Sequence, residues 1–175
     1  PSARDGNIIP NSLVQALLEK QHKIVFDFAY VGTTRKHIFD VTHPNVIAVV
    51  LSFSKPYGVF RFRIGGFIFS REEIPSLYGN KWFKDISRLV QALVLAERIG
   101  PEKLYSRYAP LQKKIVARIN AKSGLFLQSS DSFLLAHCSL KEGESKKELL
   151  PFKRDTHFRF CLTPYFEEDE LRSKR

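Results

Sequence analysis

The 175-residue chain contains no methionine and only two cysteines, Cys138 and Cys161. Two thiols cannot build the disulfide framework of a small secreted scaffold; with no targeting segment at the start, they fit a reducing cytosol. No apolar run reaches the ~18 residues that a membrane span needs, so a membrane-inserted protein is not expected. The five histidines lack metal-ligand spacing. No internal repeat and no low-complexity segment is present. Acidic residues are in deficit, 18 against 28 basic ones, for a formal net charge of +10. Such an excess suits a nucleic-acid or acidic-membrane partner. The basic residues are scattered, however, without the interleaved aromatics of a single-strand binder, so nucleic acid ranks last among the candidate partners. The chain opens at Pro1; together with the missing methionine, this reads as a fragment, a processed piece or an incompletely recorded sequence.

What is there suffices for a core, since 43% of the residues are hydrophobic. Asn11 or Ser12 is expected to cap a helix bearing Leu13, Val14, Leu17 and Leu18. Ile24-Val25-Phe26 reads as a short buried strand, Arg35 to Phe39 as a short helix, and Val46 to Leu51 as an apolar strand. Ile64 to Phe69 reads as another strand, with glycines where neighbouring groups approach closely. From Lys81 the period becomes helical: Ile86, Leu89, Val90, Leu93, Val94 and Ile99 recur on one stripe. Gly100-Pro101 ends that helix. A second stripe runs through Leu104, Tyr108, Leu111, Ile115 and Ile119, with Pro110 inside it and Gly124 at its end. Leu125–Leu127, Ser132–Cys138 and Phe158–Leu162 read as strands, Lys141–Lys147 as a charged loop, and Tyr165 to Leu171 as a final helix. The expected fold class is α/β for residues 1–100, followed by a smaller α+β domain over residues 101–175.

Two strand ends carry the chemistry. One reads Asp27-Phe28-Ala29-Tyr30. The other reads Leu51-Ser52-Phe53-Ser54-Lys55-Pro56-Tyr57-Gly58, with Arg63 eight residues after the lysine. Pro56 keeps Lys55 out of helical geometry, and Gly58 supplies the freedom to turn. In open α/β sheets, ligands bind at the carboxyl ends of strands. A lysine amine there can condense with an aldehyde as a Schiff base. A carboxylate can keep a pyridine nitrogen protonated, and hydroxyls with a guanidinium fork can hold a phosphate.

These residues resemble the class I/II aminotransferases, the fold type I enzymes that depend on pyridoxal 5'-phosphate. The S-x-S-K-x-x-G motif with its following arginine is Ser52, Ser54, Lys55, Gly58 and Arg63, and D-x-A-Y is Asp27 to Tyr30. The segment His157-Phe158-Arg159-Phe160-Cys161-Leu162 resembles the late strand whose arginine grips the substrate carboxylate. The resemblance implies the carboxyl half of a fold type I large domain, with a mixed, mostly parallel sheet, followed by the small domain. It implies that Lys55 forms the Schiff base and is catalytic, that Asp27 pairs with the pyridine nitrogen, and that Tyr30 pairs with the phenolic oxygen. Ser52, Ser54 and Arg63 would bind the phosphate, and Arg159 the substrate. It further implies amino-acid and 2-oxo-acid substrates, a homodimer and a cytoplasmic location.

The amino half of the family supplies a phosphate-binding loop, a ring-stacking aromatic and an N-P-x-G asparagine; none is found in this chain. Arg61 stands where many relatives have a small residue. A catalytically silent aminotransferase-like module is therefore the alternative reading, with a basic nucleic-acid-binding domain third. Transamination, decarboxylation, elimination and oxidation are all open to such a site.

Overall fold

Alternation along Ile24–Phe28, strand β1, divides its side chains between two faces: Ile24, Phe26 and Phe28 on one, Val25 and Asp27 on the other. The structure, a computed structural model, describes residues 4–62, 65–75, 85–139 and 147–173. Phe26 is buried against Val14 and Leu18 of helix α1 (Asn11–Glu19) and against Val46 of strand β2 (Val46–Ser52). Phe39 closes the cluster, its ring 5.4 Å from that of Phe26 and 6.1 Å from that of Phe28. Burying side chains of this size is worth roughly 1.5–3 kcal/mol each. The same alternation leaves Asp27 exposed on the opposite face.

Strand β1 pairs parallel to β2, with Asp27 opposite Val50 and Phe28 opposite Leu51. Strand β3 (Gly66–Ser70) pairs antiparallel to β2 and gives a mixed sheet of order β1-β2-β3. Gly66 faces Ser52, and a Cβ there would lie 1.9 Å from the Leu51 carbonyl oxygen, so the strands meet where only glycine fits. Arg71, just past β3, donates to the carbonyls of Val46 and Thr42 and ties the start of β2 to the end of β3. Helix α2 (Ile86–Arg98) starts at Asp85, whose carboxylate accepts the Arg88 N–H. Its apolar stripe is largely exposed: Ile86, Leu89, Val90, Leu93 and Val94 all face solvent, and Ala92 is buried.

The chain divides into two compact units. The sheet just described belongs to Pro10–Gly32 with Lys36–Leu104, and the other unit comprises Pro1–Ile9, Thr33–Arg35 and Tyr105–Arg175. Helix α3 (Lys103–Ser123) runs through Pro110 and supplies buried Ile115 and Val116 to the second unit. An antiparallel sheet of order β4-β5-β7-β6 lies there, built from β4 (Gln128–Ser129), β5 (Leu135–Ser139), β6 (Lys153–Arg154) and β7 (His157–Cys161). Helix α4 (Thr163–Ser173) follows directly. Phe133 and Phe166 meet edge to face at 5.7 Å, and Tyr108 lies 5.9 and 5.1 Å from their rings. Arg118 and Asp169 pair at 2.6 Å between α3 and α4, and Tyr108 donates to Glu170.

Several sequence expectations are corrected. Helix α1 has no side-chain cap; Pro10 precedes it, and its carbonyl accepts the N–H groups of Leu13 and Val14. Arg35 to Phe39 forms no helix, because Phe39 is drawn into the aromatic cluster while Asp40 takes the N–H and hydroxyl of Thr42 in a local turn. The strand expected at Leu125–Leu127 lies one step later, at Gln128–Ser129. Asn120 clamps Leu127 instead, accepting its N–H at 2.9 Å and donating to its carbonyl at 3.0 Å. The Ser132–Cys138 strand begins only at Leu135, after a turn closed by Leu135 N–H on the Ser132 carbonyl. Ile64, and all but the last residue of the Lys141–Lys147 loop, lie outside the described residues. Among the described residues, no helix is long and apolar enough to cross a membrane.

Two buried polar groups yield tests of this unit. The Gln112 amide nitrogen serves the carbonyls of Ser130, Ser132 and Leu135 at 3.0, 3.0 and 2.8 Å. Gln112→Ala removes that shared donor, leaving the Ser132 and Leu135 carbonyls only their backbone N–H partners, and is expected to cost about 1–3 kcal/mol, read from the urea midpoint. His137 is buried beside Ser130, its Nδ1 3.2 Å from the Ser130 hydroxyl. Burial pulls the imidazole below its ordinary 6.5; Asp5 opposes this and His157 adds to it. Because the folded value is depressed, the unfolded chain binds the proton first as pH falls. Stability is then full above about pH 6.5 and declines below it, and His137→Gln is expected to flatten that decline in denaturation midpoints across the range.

Candidate functional site

Parallel pairing brings the carboxyl ends of β1 and β2 to one rim. Each end is turned by a polar side chain that accepts a backbone N–H two residues on. The Asp27 carboxylate accepts the Ala29 N–H at 2.8 Å, and the Ser52 hydroxyl oxygen accepts the Ser54 N–H at 3.1 Å. These are the Asx and Ser turns that compete with continued strand. Beyond Asp27, the Val31 N–H reaches the Phe28 carbonyl at 2.9 Å. Beyond Ser54, the Gly58 N–H reaches the Lys55 carbonyl at 3.2 Å, with Gly58 at a φ of +67°. Ser54 and Pro56 are buried under this turn, and Lys55 is half-buried.

The two turns meet through their side chains. Lys55 Nζ lies 4.6 Å from the centroid of the Tyr30 ring. An ammonium over an aromatic face is worth about 0.5–1 kcal/mol when exposed and about 2 when desolvated. The structure thus places Asp27, Tyr30, Ser52, Ser54 and Lys55 at the ends of two adjacent strands. Arg63 lies outside the described residues. Arg61 is exposed just past the lysine turn. Arg159 is on β7 in the other unit, in register with His137 and half-buried, on the face opposite buried Phe158.

One part of this rim escaped the sequence reading. Phe53 stacks on Tyr57 at 5.5 Å and meets Phe67 edge-on at 5.4 Å, forming an aromatic wall behind the lysine turn. Burial raises the Tyr57 phenol above its ordinary value. The two aromatics that bracket Ser54-Lys55-Pro56 were the available signal.

Chemically, the rim offers an amine, a phenol, a carboxylate and hydroxyls. A serine hydroxyl has one donor and two lone pairs. Ser52 can therefore hold the Ser54 N–H and still donate its own proton to an anion. The Asp27 carboxylate keeps its second oxygen for another donor. This donor set fits pyridoxal 5'-phosphate, which asks for an aldehyde-binding amine, a carboxylate at the ring nitrogen and hydroxyls at the phosphate. Among the described residues, no group of three or more His, Cys, Asp or Glu is placed to hold a metal ion.

The fold resembles that of L-threonine-O-3-phosphate decarboxylase from Porphyromonas gingivalis, with a TM-score of 0.65 and 16% identity over 92% of this chain and 57% of that one. It also resembles an aminotransferase from Staphylococcus aureus, with a TM-score of 0.69 and 17% identity over 93% of this chain and 51% of that one. Substrate-bound BacF from Bacillus subtilis gives 0.68 and 16%, over 93% and 50%. The likeness is one of fold, the mixed α/β architecture of fold type I, and the chain spans about half the length of the structures it matches. No curated protein sequence matches the chain significantly. Residues 1–122 match the family described as aminotransferase class I and II. The chain belongs to that family, whose members depend on pyridoxal phosphate.

Proposed function

We propose that this chain carries the lysine-bearing part of a pyridoxal phosphate-dependent enzyme that acts on amino acids, with transamination as the favoured reaction. The observation that carries the reading is the meeting of the two motif turns, with Lys55 Nζ held 4.6 Å over the Tyr30 ring. When bound, the cofactor supplies an electron sink for the carbanion left at the substrate Cα.

The chain's own residues do the rest. Lys55 would hold the cofactor aldehyde through its amine, and the same amine, when free, would move the proton at the substrate Cα. Tyr30 lies under that amine and restricts its swing to one side of the rim. The exposed Asp27 carboxylate, oriented by the Ala29 N–H, would accept a hydrogen bond from the protonated ring nitrogen. Ser52 would donate to the phosphate, assisted by Ser54 and by the arginine at position 63. Arg159 is assigned to the substrate carboxylate, which a guanidinium holds with a planar fork. Amino acids and 2-oxo acids as substrates, and a homodimer as the working assembly, belong to the same proposal. So does the division of labour in which residues 1–100 form part of the cofactor-binding domain and 101–175 a small domain.

Borohydride reduction in the presence of pyridoxal phosphate is expected to fix the cofactor's mass onto the Lys55 peptide, and Lys55→Ala to abolish that adduct. An adduct of undiminished yield in Lys55→Ala overturns the assignment; no adduct at any lysine points to a silent aminotransferase-like module. Ser52→Ala removes a phosphate donor but leaves the amine in place. It is expected to weaken pyridoxal phosphate by about 1–2 kcal/mol, or roughly tenfold, in a spectral titration, and to leave the affinity for phosphate-free pyridoxal nearly unchanged.

A further inference from the structure

Gly32 follows the Tyr30 turn with a φ of +81°, in the left-handed region that glycine enters without steric cost. A Cβ at this position would stand 2.4 Å from the carbonyl oxygen of Pro101 and 3.2 Å from the Cβ of Pro56. Pro56 is the residue after Lys55. The turn that carries Tyr30 therefore rests against the Pro101 carbonyl, where no side chain fits, and more loosely against the turn that carries Lys55. A 2.4 Å approach to a backbone oxygen cannot be relieved by a rotamer change.

On its amino side Gly32 adjoins a turn that the bonds from Ala29 to Asp27 and from Val31 to Phe28 make one hydrogen-bonded piece. A side chain at position 32 must then part this turn from Pro101, and with it from Pro56 of the lysine turn.

We infer that Gly32 is a positioning residue: its missing side chain sets the approach of Tyr30 to the Lys55 amine. Its functional meaning rests on the proposal that Lys55 carries the cofactor, whereas the geometry is tested without it. Gly32 acts through Tyr30 and Lys55 and meets no reacting atom itself.

The test reads the ring current of Tyr30 on Lys55 by NMR, on the whole cofactor-free chain. Protons over an aromatic face are displaced upfield, so the Lys55 ε-methylene signal, assigned by its loss in Lys55→Arg, is expected upfield in the natural protein. Tyr30→Leu and Gly32→Ala are both expected to lose that displacement. Gly65→Ala is the control: Gly65 also has a positive φ, +105°, but a Cβ there meets no described residue within 4 Å, so the displacement is expected to persist. If Gly32→Ala does not fold, as judged by circular dichroism, Gly32→Asn carries the same Cβ on a residue that tolerates the left-handed region and gives the same reading. An upfield signal retained in the folded Gly32 variant, or absent from the natural protein, overturns the inference. A natural protein that shows the upfield signal but fixes no cofactor under borohydride overturns the cofactor reading and leaves the role of Gly32 in place.

Discussion

The parallel pairing of β1 with β2 is the constraint on which the rest of the lysine-bearing unit depends. Its register puts Phe26 into the cluster with Val14, Leu18 and Val46, and Asp27 on the other face. A slip of one residue exchanges the two faces. It would drive the Asp27 carboxylate into an apolar cluster with no partner, at a cost of several kcal/mol, and would expose Phe26. The core therefore enforces the direction of the site residue, and Asp27 needs no dedicated support beyond its own turn.

Economy of the same kind marks the two strand ends. Asp27 and Ser52 each terminate a strand by accepting a backbone N–H two residues later, and each keeps further capacity to bond outward. One side chain thus shapes the backbone and presents itself to a ligand. The turn and the donor cannot be separated, which explains why Asp-x-x-Tyr and Ser-x-Ser-Lys work as units of sequence.

That coupling is also why so much of this rim was readable from the chain alone. Local chemistry, strand then polar turn, is enough to put Asp27, Tyr30, Ser52, Ser54 and Lys55 at strand ends. The helices over 86–98 and 103–123 were legible because their stripes are long and periodic. The failures have a different physics. Arg35 to Phe39 has helical composition, but Phe39 gains more by stacking on Phe26 and Phe28 than by closing a helical turn. The two-residue β4 is defined only by its partners Ala136 and His137 in β5, which no local pattern announces. Gly32 carries no local signal of its role, because its reason, the Pro101 carbonyl and Pro56, lies across the fold and not along the sequence.

Among the described residues strand β3 forms one edge of its sheet, and all five of its residues are exposed, among them Phe67, Ile68 and Phe69. No charge, proline or bulge interrupts this strand, whereas protected edges carry such features. Its outer backbone groups, which no described strand pairs, and its side chains together form a template that another extended segment can extend by one rung. Colloidal behaviour then follows from a collision rate as well as from folding equilibrium. Doubling the concentration quadruples the encounters between such edges, while the unfolding of an individual molecule is unaffected.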